Sequence, residues 1–231
     1  MIHIEVDTQA EIEKIAKRLE WQAIKAPDVL RLSINAAARK VRKQIPDNVE
    51  DAYTIDPSVL KDRKRGAPTV QTAKPGNIMA VIRSKGPVNE LSDFLTEEGS
   101  RGVKTKVRKD GGKKLLERAG ATAFKVTFRS THMAIAQRRI GETYTTSGAA
   151  DRVEKYGMPR RGQWPDMTRI KVLTGPSVPS MMGNEEVQER TRTILYDVLD
   201  REIEKRIEKN IDIIFQKRII NMKVLVKRTG L

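Results

Sequence analysis

The sequence contains no cysteine. Disulfide cross-links and thiolate metal sites are therefore excluded, and the chain must be held together by burial and hydrogen bonding. Histidine is almost missing as well. His3 and His132 are the only two, and they lie on separate stretches that read as strands, so no imidazole metal site or acid–base pair is expected. Aromatic residues make up 4% and all hydrophobic residues 38% of the chain, which predicts thin layers of secondary structure that lean on neighbouring subunits. No run approaches the ~20 apolar residues of a membrane span. The opening Met1-Ile2-His3-Ile4-Glu5-Val6 lacks the basic, apolar and small-residue zones of a secretory signal, so the expectation is a chain made in the cytoplasm with no membrane partner.

What is abundant is positive charge. Lysine and arginine number 45 against 30 acidic residues, for a formal net charge of +15. Such an excess attracts polyanions, nucleic acid first, then acidic membranes or proteins. The length of 231 residues suits one domain spanning 1–231 better than two small ones.

Hydrophobic periodicity supplies the elements. Ile2, Ile4 and Val6 alternate as in a strand, and Thr8-Gln9-Ala10-Glu11 offers a capping box for a helix through about Ala26. Pro27-Asp28 opens a second helix with an apolar stripe at Leu30, Ile34, Ala37, Val41 and Ile45, and Pro46 is expected to stop it. Asp56-Pro57-Ser58-Val59-Leu60 starts a single helical turn within an otherwise polar stretch over 47–75. Strands are expected from Ile78 to near Gly86-Pro87 and over Val103–Arg108, Ala123–Arg129 and His132–Arg138, the second ending in an Asp110-Gly111-Gly112 hairpin turn. The glycine- and proline-rich span 141–166, with Arg160-Arg161, reads as a long exposed excursion. Val187, Ile194, Val198, Ile203, Ile207, Ile211 and Ile214 recur at helical spacing and predict one long helix. Beyond it, Ile220, Met222, Val224 and Val226 alternate, so an extended arm is expected over 219–231 that is suited to adding a strand to a neighbour's sheet edge. The elements add up to an α+β fold, an antiparallel β-sheet packed against N-terminal helices and one long C-terminal helix, with long exposed loops.

No cofactor, catalytic or metal residue stands out. Gly111-Gly112-Lys113-Lys114 lacks the earlier glycine and the following Ser or Thr of a phosphate loop. Asp47 and Asp62 with Lys64 are spaced like the carboxylates and lysine of a metal-dependent nuclease, but they flank a helix end and a solvated charge run rather than adjacent strands, so this is the weakest alternative. The basic hairpin is a better candidate. Arg101, Lys104, Lys106, Arg108, Lys109, Lys113 and Lys114 surround it, and alternation puts Lys104, Lys106 and Arg108 opposite Val103, Thr105 and Val107. A plain solvated face and a face contacting DNA phosphates fit that pattern equally. No aromatic residue is interleaved, so any binding is expected to be directed at the backbone and sensitive to salt.

The remaining feature is Gly175-Pro176-Ser177-Val178-Pro179-Ser180-Met181-Met182, where two prolines fix a rigid, non-helical connector between a strand and the long helix. On pattern alone it is an ordinary loop as readily as a contact surface. Arg169-Ile170-Lys171-Val172-Leu173 leading into this connector, then the charged helix from Asn184, resembles the C-terminal signature of the prophage minor tail protein Z family, the tail completion proteins of tailed phages. The resemblance is specific over about 165–210. It is looser over 25–140, through Ala36-Ala37-Ala38-Arg39-Lys40-Val41-Arg42 and the strands Gly102–Arg108 and Phe124–Arg129. It implies a non-enzymatic virion protein assembled in the host cytoplasm, located at the head-proximal neck of the tail. There it would complete the tail for head–tail joining and for DNA positioning or ejection. It further implies a homo-oligomeric ring, hexameric if it follows tail symmetry, touching a tail terminator or tail-tube protein and a head–tail connector or portal protein. Phage double-stranded DNA would lie in the lumen. Gly175, Pro176, Ser177, Val178, Pro179, Met181 and Met182 then form the subunit or partner interface, and the hairpin cations with Arg160 and Arg161 face DNA. The alternative is a basic nucleic-acid-binding protein acting free of a virion.

Overall fold

The computed structural model describes residues 8–128, 130–143 and 168–229, with the backbone alone at 21–22, 143 and 214–229. The expected strand at Ile2–Val6 lies outside the described residues.

Helix α1 spans Thr8–Leu19 and buries Ile15 and Leu19, and a 3-10 turn over Glu20–Lys25 leads into α2, Ala26–Ala52. Pro27 sits in the first turn of α2, where its missing N–H costs nothing. Pro46 does not stop the helix, contrary to expectation; it lies buried inside it. Its ring removes one backbone bond, to the Arg42 carbonyl. The stripe nevertheless continues through Val49 and Ala52, at 1% and 4% exposure, and the buried Asn48 amide donates to Thr191 Oγ1 at 3.1 Å. Those contacts outweigh the single lost bond. The expected helical turn follows as α3, Pro57–Lys61, capped by Asp56, which accepts from the Ser58 N–H at 2.8 Å.

The long helix is α5, Glu185–Thr229. Its cross-links to α2 descend along one helix as they ascend the other, Asp51 to Arg190, Asn48 to Thr191 and Lys40 to Glu202, so the two helices pack antiparallel. Val187, Leu195, Leu199, Ile203 and Ile207 are buried, whereas Ile194, Val198 and Ile211 pack at the margin. The stripe is thus centred one residue further along than the expected set at Ile194 and Val198. Ile214 belongs to the part described by backbone only. The extended arm over 219–231 is not found, because α5 continues to Thr229. Ile220 and Val224, like Met222 and Val226, are also four apart, and no glycine or proline interrupts the run before Gly230.

Glu202 ties the helical layer together. It is 7% exposed, and its carboxylate receives Lys40 Nζ at 2.6 Å and Arg206 at 3.6 Å. The Lys40 hydrogen bond holds its carboxyl below the ordinary 4.5. Because the folded-state value lies below the unfolded one, the carboxylate stabilises the fold above that ordinary value, and the contribution is lost as pH falls through the folded value. Glu202→Gln is expected to cost about 1–3 kcal/mol at pH 7, with the gap to the native protein closing in acid. Denaturation curves showing the same gap at neutral and strongly acid pH would contradict this.

The antiparallel β structure is divided among small sheets. β1 (Thr69–Gln71) pairs with β2 (Val81–Arg83); β3 (Leu95–Gly99), β4 (Gly102–Lys106) and β5 (Lys114–Leu115) form a second sheet. β6 (Glu117–Arg118) and β7 (Ala121–Thr122) make a hairpin, and β8 (Phe124–Thr127), β9 (Met133–Thr143) and β10 (Thr168–Val172) make the last sheet in the order β10-β9-β8. The result is α+β, as expected. The strand expected from Ile78 to near Gly86-Pro87 is confined to Val81–Arg83, and β9 runs five residues past Arg138. Residues 141–143 of the expected excursion therefore belong to β9, while 144–166 lie outside the described residues.

Candidate functional site

The proline-stiffened connector is an internal joint. β10 delivers Leu173, whose N–H donates to the Ile135 carbonyl at 2.8 Å and whose own carbonyl accepts from the Leu91 N–H at 3.1 Å. Asn89, fully buried, then grips Gly175 and Pro176: its carbonyl accepts from the Gly175 N–H and its Nδ2 donates to the Pro176 carbonyl, both at 2.8 Å. Gly175 is required because a Cβ there would lie 2.6 Å from a ring carbon of the buried Phe94. Ser177 caps the short helix α4 (Val178–Met182), accepting from the Ser180 N–H at 3.3 Å. Val178, Met181 and Met182 are exposed by only 1%, 0% and 4%. These three expected interface residues are therefore spent on the chain's own core, and Pro179 packs against Gly66. The sequence pattern could not separate the two uses, since a rigid apolar loop suits either.

The basic hairpin is formed as expected but partly neutralised. Val103 and Thr105 are buried on β4, and Lys104 is exposed. β3 brings Glu97 opposite Lys104, and Lys113 pairs with Glu97 at 2.6 Å. Arg108 is held by Asp110 at 2.9 Å and Glu186 at 3.2 Å and lies over the Tyr53 ring. Among the described residues Arg101, Lys106, Lys109 and Lys114 have no carboxylate partner. β3 escaped sequence reading because Leu-Thr-Glu-Glu-Gly has the composition of a loop. The fold also brings hairpin and joint together, in a groove of about 690 Å³ lined by Tyr53, Leu91, Arg108, Lys114, Leu116 and Pro176.

The nuclease alternative gains no support. Asp47 is exposed on α2, Asp62 accepts from the Lys64 N–H at 2.9 Å as a turn cap, and among the described residues no group of three metal-ligating side chains exists. His132 pairs with the Glu90 carboxylate at 2.9 Å and stacks on Phe128. His3, Arg160 and Arg161 lie outside the described residues. Among the described residues no helix is long and apolar enough to cross a membrane.

A second cationic site is assembled by the fold alone. Between β6–β7 and the β9–β10 pair lies a cleft of about 280 Å³, lined by Arg118, Arg138, Arg139 and Lys171 with one carboxylate, Glu142. Its wall is a bulge. Thr143 stands opposite Thr168 but Arg138 opposite Ile170, so β9 carries three more residues than β10 between those rungs. Gly141, at φ +86°, provides the left-handed turn this needs. Arg139 closes the bulge on Glu142 at 2.8 Å, and that hydrogen bond, with smaller contributions from nearby Arg169 and Lys171, holds the Glu142 carboxyl below its ordinary range. Arg118 and Lys171 have no ion pair among the described residues.

Comparison with protein-family models, curated proteins and solved structures finds no match for this chain.

Proposed function

We propose that this chain is a structural protein of a tailed-phage virion, placed at the head-proximal end of the tail, where it completes the tail for joining to the head and for passage or positioning of the genome end. The observation that carries this reading is the unit β10–joint–α4–α5. The stretch whose sequence resembles the tail completion family is one continuous, internally strapped element that couples the β9–β10 sheet to the α2–α5 helical layer. A piece of that kind transmits load between neighbours without deforming. Copies would form a ring about the tail axis, six if they follow tail symmetry, with a tail terminator or tail-tube protein on one side and a connector or portal protein on the other. Double-stranded DNA would occupy the lumen, consistent with the net charge of +15. The interface would draw on exposed surface around the joint rather than on Val178, Met181 and Met182.

Particles assembled without this chain should have tails defective at the head end when imaged. Normal head–tail joints and normal infectivity would remove the proposal. The alternative, a nucleic-acid-binding protein acting outside a virion, is favoured by the cationic cleft; it predicts tight duplex binding by the isolated chain together with unaffected particles.

A further inference from the structure

We infer that the cleft between β6–β7 and the bulged β9–β10 pair, rather than the β4–β5 hairpin, is where this chain grips the phosphate backbone of duplex DNA. The inference rests on the reading above in which DNA is a partner, and names the contact. Three observations carry it. The first is the balance of charge: among the described residues four cationic side chains and one carboxylate line the cleft, and that carboxylate is already bound to Arg139. The hairpin has Glu97, Asp110 and Glu186 set against Lys113 and Arg108, and of its cations without a carboxylate partner among the described residues, Arg101, Lys106, Lys109 and Lys114, only Lys114 lines the groove there. The second is availability. Arg118 and Lys171 are exposed, come from opposite walls and have no ion pair among the described residues, so they need not break one to meet a phosphate.

The third is what the cleft cannot do. Among the described residues no aromatic side chain lines it, and the nearby Phe124 ring lies under Arg138, 5.7 Å from the guanidinium carbon. The described walls thus offer a nucleobase no platform to stack on, and what they present to a nucleic acid is charge for its phosphates. A duplex backbone presents phosphates alone to such a surface, and Arg169 on β10 adds charge beside the cleft.

The test is duplex DNA binding by the full chain, read by fluorescence anisotropy across a salt series. Arg118→Ala/Lys171→Ala is expected to weaken binding at low salt by about tenfold or more and to flatten the log–log salt plot by about two. Lys104→Ala/Lys106→Ala should change affinity less than about twofold. Unchanged affinity in the cleft variant, an equal or larger loss in the hairpin variant, or absence of duplex binding by the native chain at low salt would each overturn the inference. Inorganic phosphate that displaces DNA better than chloride of the same ionic strength would make this a free-phosphate pocket and overturn it too. Should the double variant melt early, Arg118→Gln and Lys171→Gln singly in the same assay decide the matter. Defective tails in particles lacking the chain, combined with no effect of the cleft variant on DNA binding, would sink this inference and leave the proposed function standing.

Discussion

Replacing Gly86 with alanine is expected to cost at least about 3 kcal/mol of folding stability. A Cβ at this position would lie 2.3 Å from the Arg65 carbonyl oxygen, 2.6 Å from its carbon and 2.8 Å from Gly66 Cα. All three are backbone atoms, so no side-chain rotation relieves the overlap. Nor is the turn they belong to free to retreat. Arg65 pairs with Asp93, Ser84 Oγ donates to the Gly66 carbonyl, the Ala67 N–H donates to the Asp62 carbonyl at 3.0 Å, and Gly66 itself occupies φ +107°. Pro179 packs on the same spot from the joint. The control is Gly112→Ala, where an added Cβ meets nothing within 4 Å and the change should stay within about 0.5 kcal/mol. Chemical denaturation of the two variants side by side decides it; a Gly86→Ala protein as stable as the native one would show that this backbone contact is not tight.

Met181→Ala is expected to destabilise the isolated chain by about 2–5 kcal/mol, the cost of emptying a filled core site. Met181 is fully buried beside Val178 and Met182. The prediction separates the two uses of the joint, because a methionine held out for a partner would leave the isolated chain's unfolding midpoint where it was and impair only assembly. Ser180, its exposed neighbour, gives the contrast: Ser180→Ala should barely move the midpoint, within about 0.5 kcal/mol. A Met181→Ala chain that melts normally yet fails to assemble would return the joint to the role of contact surface.

How far the fold is legible in the sequence depends on whether each deciding interaction is local. The helical turn begun at Asp56-Pro57, the alternation of Val103 and Thr105 with lysines, and the existence of the long helix α5 are written in neighbouring residues and appear as expected, although the buried stripe of α5 is centred one residue further along. Pro46 misleads because the contacts that carry α2 past it, Asn48 to Thr191 above all, come from the far end of the chain. The arm beyond residue 219 misleads for a different reason: spacings of two and four coincide over so few residues, and strand and helix share them. β3 is invisible because its partner, not its composition, makes it a strand. Of the candidate sites, the hairpin's cations could be counted in the sequence but its facing carboxylates could not. The cleft was hidden altogether, since Arg118, Arg138, Arg139 and Lys171 reach it from three strands brought together by an irregular register.

That irregular register has a further consequence. The surplus on β9 is odd, so the backbone alternation of β9 falls out of step with that of β10 beyond Arg138. The inner rungs, Ala136 to Val172, Gln137 to Lys171 and Arg138 to Ile170, keep one unbroken register, so the whole surplus is taken up between Arg138 and Thr143.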